Sequence, residues 1–232
     1  MARSRPPQRL DEILEAARRV FAARGYRRTR MTDVAVAAEV SPGLLYTYAA
    51  SKEALFHLVL RREIGIDLST LALPAPDPGP EAVETVIRTA LREVSRIPTL
   101  DAVDSVDDPP DARAELVAII GEHYDNLYRY RRVIRIVERS ALDWPELAAR
   151  IYVKGRASFV QRLGAYIRRR VASGHFTTVP DADVAARYVI EVIAWFANHR
   201  HGDRDGALID DELARTTVVE LATRSFVQES AQ

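Results

Sequence analysis

Apolar residues recur at helical spacing through most of this chain, and no stretch of useful length alternates as a β-strand would. Leu10, Ile13, Leu14, Ala17, Val20 and Phe21 lie on one helical face, and Gly25 closes that helix as a C-terminal cap. Val34, Ala35 and Ala38 predict a second helix over 31–38, whose alanines permit close helix approach. Ser41 as N-cap and Pro42 at the first helical position start a third, running to about Tyr48. Ser51 caps a fourth, which passes through Leu55, Leu58, Val59 and Arg62 to about Leu71. The turn between the second and third is too tight for anything but a helix-turn-helix. That unit places its second helix in the major groove of DNA.

The rest of the chain is also helical by pattern. The segment PAPDPGP at 74–80 holds four prolines and breaks the chain before a helix over about 80–97. The acidic, Pro-broken run DAVDSVDDPPD at 101–111 reads as a surface loop. A long helix follows from about 111 to 130, then a shorter one to about 142. Trp144–Pro145 opens the next, which carries Leu147, Ile151, Phe159, Leu163, Tyr166 and Ile167 and ends at SGHF, 173–176.

The helix over 181–200 stands apart. Val184, Tyr188, Val192, Trp195, Phe196 and His199 form one stripe, and Val189, Ile190, Ile193, Ala194 and Ala197 fill most of the remainder. Only Arg187, Glu191 and Asn198 leave a polar strip. A helix apolar nearly all round has to be covered on two sides. The core supplies one cover and a partner subunit can supply the other. HGDRDG at 201–206 turns the chain into a last helix over about 209–228. The fold class is all-α: an N-terminal three-helix helix-turn-helix domain plus a larger helical bundle, about nine to ten helices in all.

Charge sharpens this division. Net charge is zero, yet residues 1–62 hold 12 Lys and Arg against 6 Asp and Glu, and the remainder 21 against 27. A basic head on an acidic body fits a head that meets a polyanion. The arm MARSRPPQ reads as disordered, either lying on phosphates or playing no part. The chain lacks cysteine, which excludes disulfides and thiolate metal sites. The first residues lack the apolar core of a signal peptide, and no run of 18 apolar residues occurs, so a cytoplasmic protein is expected.

The run Ile-Leu…Ala-Ala…Phe…Gly-Tyr…Thr, then Val-Ala…Ala…Val-Ser…Leu-Tyr…Tyr…Ser-Lys-Glu-Ala-Leu, resembles the DNA-binding domain of the TetR family of transcriptional regulators over about 9–58. The resemblance implies residues 9–56 as DNA-binding domain, with the helix-turn-helix at about 30–49. It implies 57–232 as a ligand-binding and dimerisation domain, and 1–8 is left as the basic arm. It further implies a homodimer formed through the last long helices, about 181–228, and a repressor released from a palindromic operator by a small molecule. By the same resemblance Ser41, Pro42, Gly43, Leu44 and Thr47 face the groove and Leu45 points inward. Tyr46, Tyr48 and Lys52 match the family's phosphate contacts. Tyr and Lys can donate to phosphate oxygens, which positions the domain without reading sequence. Thr47 can touch a base edge or thymine methyl, and Arg30 can add a contact. The groove-facing residues of the third helix include no Arg, Asn or Gln, so thymine methyls and DNA shape carry weight in specificity.

Three positions depart from the family pattern. Arg30 stands where a Thr or Ser cap is usual, a loss of about 1 kcal/mol. Glu39 replaces the turn glycine, at roughly 1 kcal/mol if that residue is left-handed. Ala49 replaces a core Phe and removes packing beneath the third helix.

His123, Tyr124, Tyr128, Trp144, Tyr152, Phe159, Trp195, Phe196 and His199 are candidate walls of an effector pocket, with His123 and Asn126 as polar anchors. The alternative for each is plain core. The five-Arg run YRYRRVIRIVER at 128–139 reads as a solvated face, or as a site for an anionic effector such as an acyl thioester or for a second nucleic-acid strand. His199, His201, Asp203 and Asp205 do not share a helical face, and no metal or cofactor is expected. No nucleophile elbow, phosphate loop, HExxH or acid pair is present, so no enzyme is expected. Two readings stay open. One is a ligand-released DNA-binding regulator whose partners are an operator, itself and a small-molecule effector. The other is a helical ligand-binding or scaffold protein with impaired DNA binding.

Overall fold

The computed structural model describes residues 7–103 and 109–227. The described residues are helical, with no named strand among them. Residues 1–6 of the expected arm and 104–108 of the acidic loop lie outside them; Pro7 already belongs to the first helix. The chain divides into two compact units, one of residues 1–92 with 132–151 and the other of 93–131 with 152–232.

The first unit contains α1 (Pro7–Arg28), α2 (Met31–Ala37), α3 (Pro42–Tyr46), α4 (Lys52–Glu63) and most of α5 (Gly79–Val94). It also takes the last ten residues of α7 (Ala112–Ala141) and the short α8 (Pro145–Ala148). The expected face of α1 is buried at Ile13, Leu14, Ala17 and Phe21. Leu55, Phe56, Leu58, Val59 and Leu60 make α4 the centre of this unit, where Phe56 meets Phe21 edge-on at 4.9 Å. Helix α4 stops at Glu63, well short of Leu71, because Gly65 takes a left-handed φ of 81° and ends it.

The second unit holds α6 (Pro98–Ala102), the first two-thirds of α7, α9 (Ala157–Ala172), α10 (Ala182–Ala197) and α11 (Asp211–Arg224). Helix α7 runs unbroken through 130, where the sequence suggested an interruption. The single helix expected after Trp144 is instead divided by a wide π-type turn over Ala149–Arg156. Val83, Val86, Ile87 and Ala90 set the buried stripe of α5 in the first unit. Asp181 and Asp210 cap α10 and α11 with 2.8 and 2.9 Å bonds to Val184 N and Leu213 N. Gly164 allows α9 and α10 to cross closely, since a Cβ there would lie 1.9 Å from Asp183 Oδ1.

Candidate nucleic-acid interface

The α2–turn–α3 unit is built from local rules. Arg30 is the N-cap of α2 and offers no acceptor. Asp33 supplies half of the missing cap, because its Oδ2 accepts from Arg30 N at 2.9 Å. That bond, then the Arg24 guanidinium at 2.7 Å, holds the Asp33 carboxyl below its ordinary pKa. At the other end Glu39 is left-handed, φ 54°, as a residue in the glycine position must be. Glu39 N donates to Val36 O and Val40 N to Ala35 O, which is the paired C-terminal closure of a Schellman motif. The chain then turns into Ser41, whose Oγ accepts from Leu44 N at 3.3 Å.

Helix α3 consequently has two faces. Leu45 is buried against the unit, while Ser41, Pro42, Gly43 and Tyr46 are exposed and Leu44 and Thr47 half-buried. Open space surrounds Gly43. Thr47 Oγ1 donates back to Leu44 O at 2.7 Å, which leaves its methyl and lone pairs for an outside partner. Arg30 is exposed at the start of α2. Lys52 is half-buried: its Nζ donates to Tyr26 O at 3.1 Å and lies 4.4 Å from the centre of the Tyr26 ring. Tyr48 corrects the sequence-based expectation. It is 2% exposed and belongs to the core, because the register that turns Leu45 inward also turns Tyr48 inward three residues later.

The position most in doubt, Ala49, is closed from a direction the sequence did not suggest. The proline-rich segment after α4 passes beneath the end of α3. Ala75 N donates to Tyr48 O and Ala50 N to Ala75 O, both at 2.9 Å. Ala49 and Ala75 pair side by side and both are buried. Asp77 accepts from Gly79 N at 3.0 Å and from the Ser51 hydroxyl, which together depress its pKa. Four prolines exclude helix there but leave Ala75, the residue between two of them, free to donate.

The base of the unit is equally specific. Gly25 has φ 78°, and a Cβ on it would lie 2.8 Å from Arg139 O. Tyr26 N donates to Ser140 Oγ at 3.0 Å and Arg139 Nε to Ala23 O at 2.8 Å. Arg27 Nη1 donates to Asp143 O at 2.6 Å, and the Arg28 guanidinium pairs with the Asp143 carboxylate at 2.5 Å. Trp144, expected on a pocket wall, stands here instead, 5.7 Å from the Tyr26 ring. Gly25 was legible as a helix terminator. Ser140, Arg139 and Ala75 carry no signal in the sequence, since each acts on a backbone group that only the folded chain brings within reach.

The remaining pocket candidates do not converge. His123, Tyr124 and Phe159 are buried together with their unit's core, and the His123 and Phe159 rings lie 4.4 Å apart. Tyr128 donates to Asp211, and Tyr152, Trp195 and His199 are exposed. Phe196 is half-buried against Trp195 at 4.8 Å. Asn126 Nδ2 is bonded to Arg96 O at 2.7 Å. Within the arginine run, Arg139 Nε donates to Ala23 O at 2.8 Å and Arg131 Nη1 to Tyr128 O at 2.6 Å. Among the described residues no group of three or more His, Cys, Asp or Glu is placed to hold a metal ion. No helix among them is long and apolar enough to cross a membrane.

Two family models match the chain. Residues 13–59 match bacterial regulatory proteins of the tetR family, and residues 127–227 match the C-terminal domain of AefR-like transcriptional repressors. The HTH-type transcriptional repressor KstR2 of Mycolicibacterium smegmatis is 41% identical over 58 residues, 25% of this chain and 28% of that protein. An uncharacterized HTH-type transcriptional regulator of Mycobacterium tuberculosis is 32% identical over 124 residues, 50% of this chain and 61% of its own. The chain thus spans less than two-thirds of the length of either relative. The fold is shared with TetR family regulator PfmR from Thermus thermophilus (TM-score 0.51, 22% identity, 94% of this chain and 99% of that one). It is also shared with a TetR-like regulator from Rhodococcus (TM-score 0.50, 19% identity, 96% and 97%).

Proposed function

We propose, for a chain that belongs to the TetR family of bacterial regulatory proteins, that it is a sequence-specific DNA-binding regulator acting as a homodimeric repressor. The observation that carries this is the divided α3: Leu45 and Tyr48 lock it into the head, and Ser41, Pro42, Gly43 and Tyr46 are left open. Tyr46 and the exposed Arg30 contact phosphate or groove, while Pro42, Leu44 and the Thr47 methyl offer apolar surface to thymine methyls. Specificity then leans on methyl contacts and on DNA shape. A DNA target implies a cytoplasmic setting.

Dimerisation is read from α10 and α11. The Val184, Tyr188 and Trp195 stripe is 69%, 57% and 39% exposed, and Leu213 and Leu221 lie eight residues apart on an exposed face of α11. A second copy of this chain is the natural cover for two adjacent apolar helix faces. Replacing Tyr188 and Leu213 by Asp together is expected to give monomers in sedimentation velocity and to abolish operator binding. Dimers of the doubly substituted protein would move the interface elsewhere.

Release by a small molecule follows as linkage. A ligand preferring one arrangement of the dimer moves the recognition helices away from one helical turn of DNA, about 34–36 Å apart. The scaffold alternative loses its support, because the left-handed Glu39 closes a regular helix end and Ala75 fills the space beneath Ala49. Selection from a random DNA pool at near-physiological salt tests the reading. A palindrome with half-sites one or more helical turns apart is expected. Weak, salt-erased binding without consensus would leave only phosphate attraction.

A further inference from the structure

Two buried arginines of the second unit are answered by named partners. Arg170, fully buried, places Nε and Nη2 on the two Glu115 oxygens at 2.8 and 3.2 Å. Arg200, also fully buried, donates to Phe196 O and Ile209 O at 2.7 Å and to Asp211. His123 differs. It is 5% exposed, and neither ring nitrogen has a hydrogen-bond partner among the described residues. The Val94 backbone lies near enough to raise the ring's pKa, an effect smaller than burial. Burial, the dominant effect, brings its pKa down to about 4, so the imidazole is neutral near pH 7.

The surroundings specify what could answer it. On either side of His123, α7 holds the 96–99 segment. Glu122 accepts from Thr99 N at 3.1 Å and Thr99 Oγ1 at 2.5 Å, and Asn126 Nδ2 donates to Arg96 O. Across the ring stands Phe159, an apolar flat wall. Arg156, the cation that acts on His123, is already paired with Glu191 at 3.0 Å. An anionic ligand therefore finds no unpaired cation in this set, and Glu122, which keeps its charge, has both oxygens turned to Thr99 rather than to the ring. A neutral imidazole carries one donor and one acceptor. A hydroxyl answers either, and a carbonyl answers the donor.

We propose that His123 is the hydrogen-bonding anchor for a neutral effector that carries a hydroxyl or carbonyl oxygen on an apolar body, beside Phe159. This rests on the reading of the chain as a ligand-released regulator and adds the chemistry of the ligand. It disfavours the acyl thioester and other anionic effectors at this position.

The test uses the full chain with 15N-labelled histidine, and cyclohexanol, methylcyclohexane and cyclohexanecarboxylate as probes at pH 7. Cyclohexanol is expected to shift the His123 ring nitrogens and to bind roughly tenfold more tightly than either of the others. His123→Leu should bind alcohol and hydrocarbon alike. His123→Gln, which keeps a donor and an acceptor, should retain part of the preference and guards against a variant that fails to fold. Unmoved ring resonances with cyclohexanol near its aqueous solubility, or an undiminished preference in His123→Leu, would overturn the proposal and leave the ring to ordered water. Operator binding by the ligand-free proteins is measured in parallel. Intact operator binding without alcohol preference sinks only the anchor. Absent operator binding sinks the regulator reading, while the nitrogen shifts still decide the anchor.

Discussion

The two units manage buried polarity in opposite ways. In the first, the determining contacts involve backbone groups: Gly25 against the Arg139 carbonyl, Tyr26 N on the Ser140 hydroxyl, Ala75 on Tyr48 and Ala50. Such bonds are short, local in their geometry and insensitive to pH. In the second, long side chains carry charge into the interior, and Arg170 and Arg200 are each matched group for group. His123 alone among these three is unmatched. A unit that presents a fixed face to DNA gains from rigid backbone clips. A unit that answers a ligand needs at least one group whose partner comes from outside.

That contrast can be broken at four places. The largest effect is expected at Gly25. Alanine there must adopt φ 78° and meet Arg139 O, so Gly25→Ala should destabilise by roughly 2–5 kcal/mol in denaturant unfolding. A neutral outcome would mean that the first unit does not depend on that approach. Next is the pH response of His123. Its folded pKa lies below the ordinary 6.5, so the unfolded chain binds the extra proton first. The associated stability is complete above pH 6.5 and is lost as pH falls from there toward 4. The full difference is on the order of 3 kcal/mol. His123→Gln should flatten this part of the stability profile relative to the parent, while the carboxylate titrations common to both cancel.

A smaller effect is expected at the segment beneath α3. Ala75→Pro removes the donor to Tyr48 O, a loss of about 1 kcal/mol. The informative readout is DNA. Operator affinity should fall several-fold while non-specific binding is unchanged, because phosphate contacts survive and the pose of α3 does not. Equal loss on both kinds of DNA would mark Ala75 as a stabilising contact only. The smallest effect is a gain. Glu39→Gly relieves left-handed strain worth about 1 kcal/mol and removes a carboxylate near the expected phosphates. Both thermal stability and DNA affinity should rise slightly.

Much of the head was legible in advance because its signals are local. Ser41 and Ser51 cap the helices the sequence assigns to them, and Gly25, non-helical at φ 78°, breaks the Pro7–Arg28 helix where the sequence ends it. Glu39 takes the left-handed conformation that its position in the turn demands. The candidate site was less legible. Tyr48 was placed on the surface by family pattern, yet helical register buries it beside Leu45. Trp144 was grouped with the pocket aromatics and lies instead on Tyr26. Aromatic content marks a residue as fit for burial but does not say against what.

Periodicity and capping chemistry by themselves determined the all-helical class, the helix-turn-helix, the caps and the two-sided apolar character of α10. These follow from interactions a few residues apart, which the order of residues contains directly. Only the tertiary structure decided that α7 ends inside the first unit, that Ala75 covers Ala49, and that His123 is buried without a partner. Each depends on segments 20 or more residues apart meeting in space, and the backbone pairings and the unanswered imidazole that result leave no trace in local pattern.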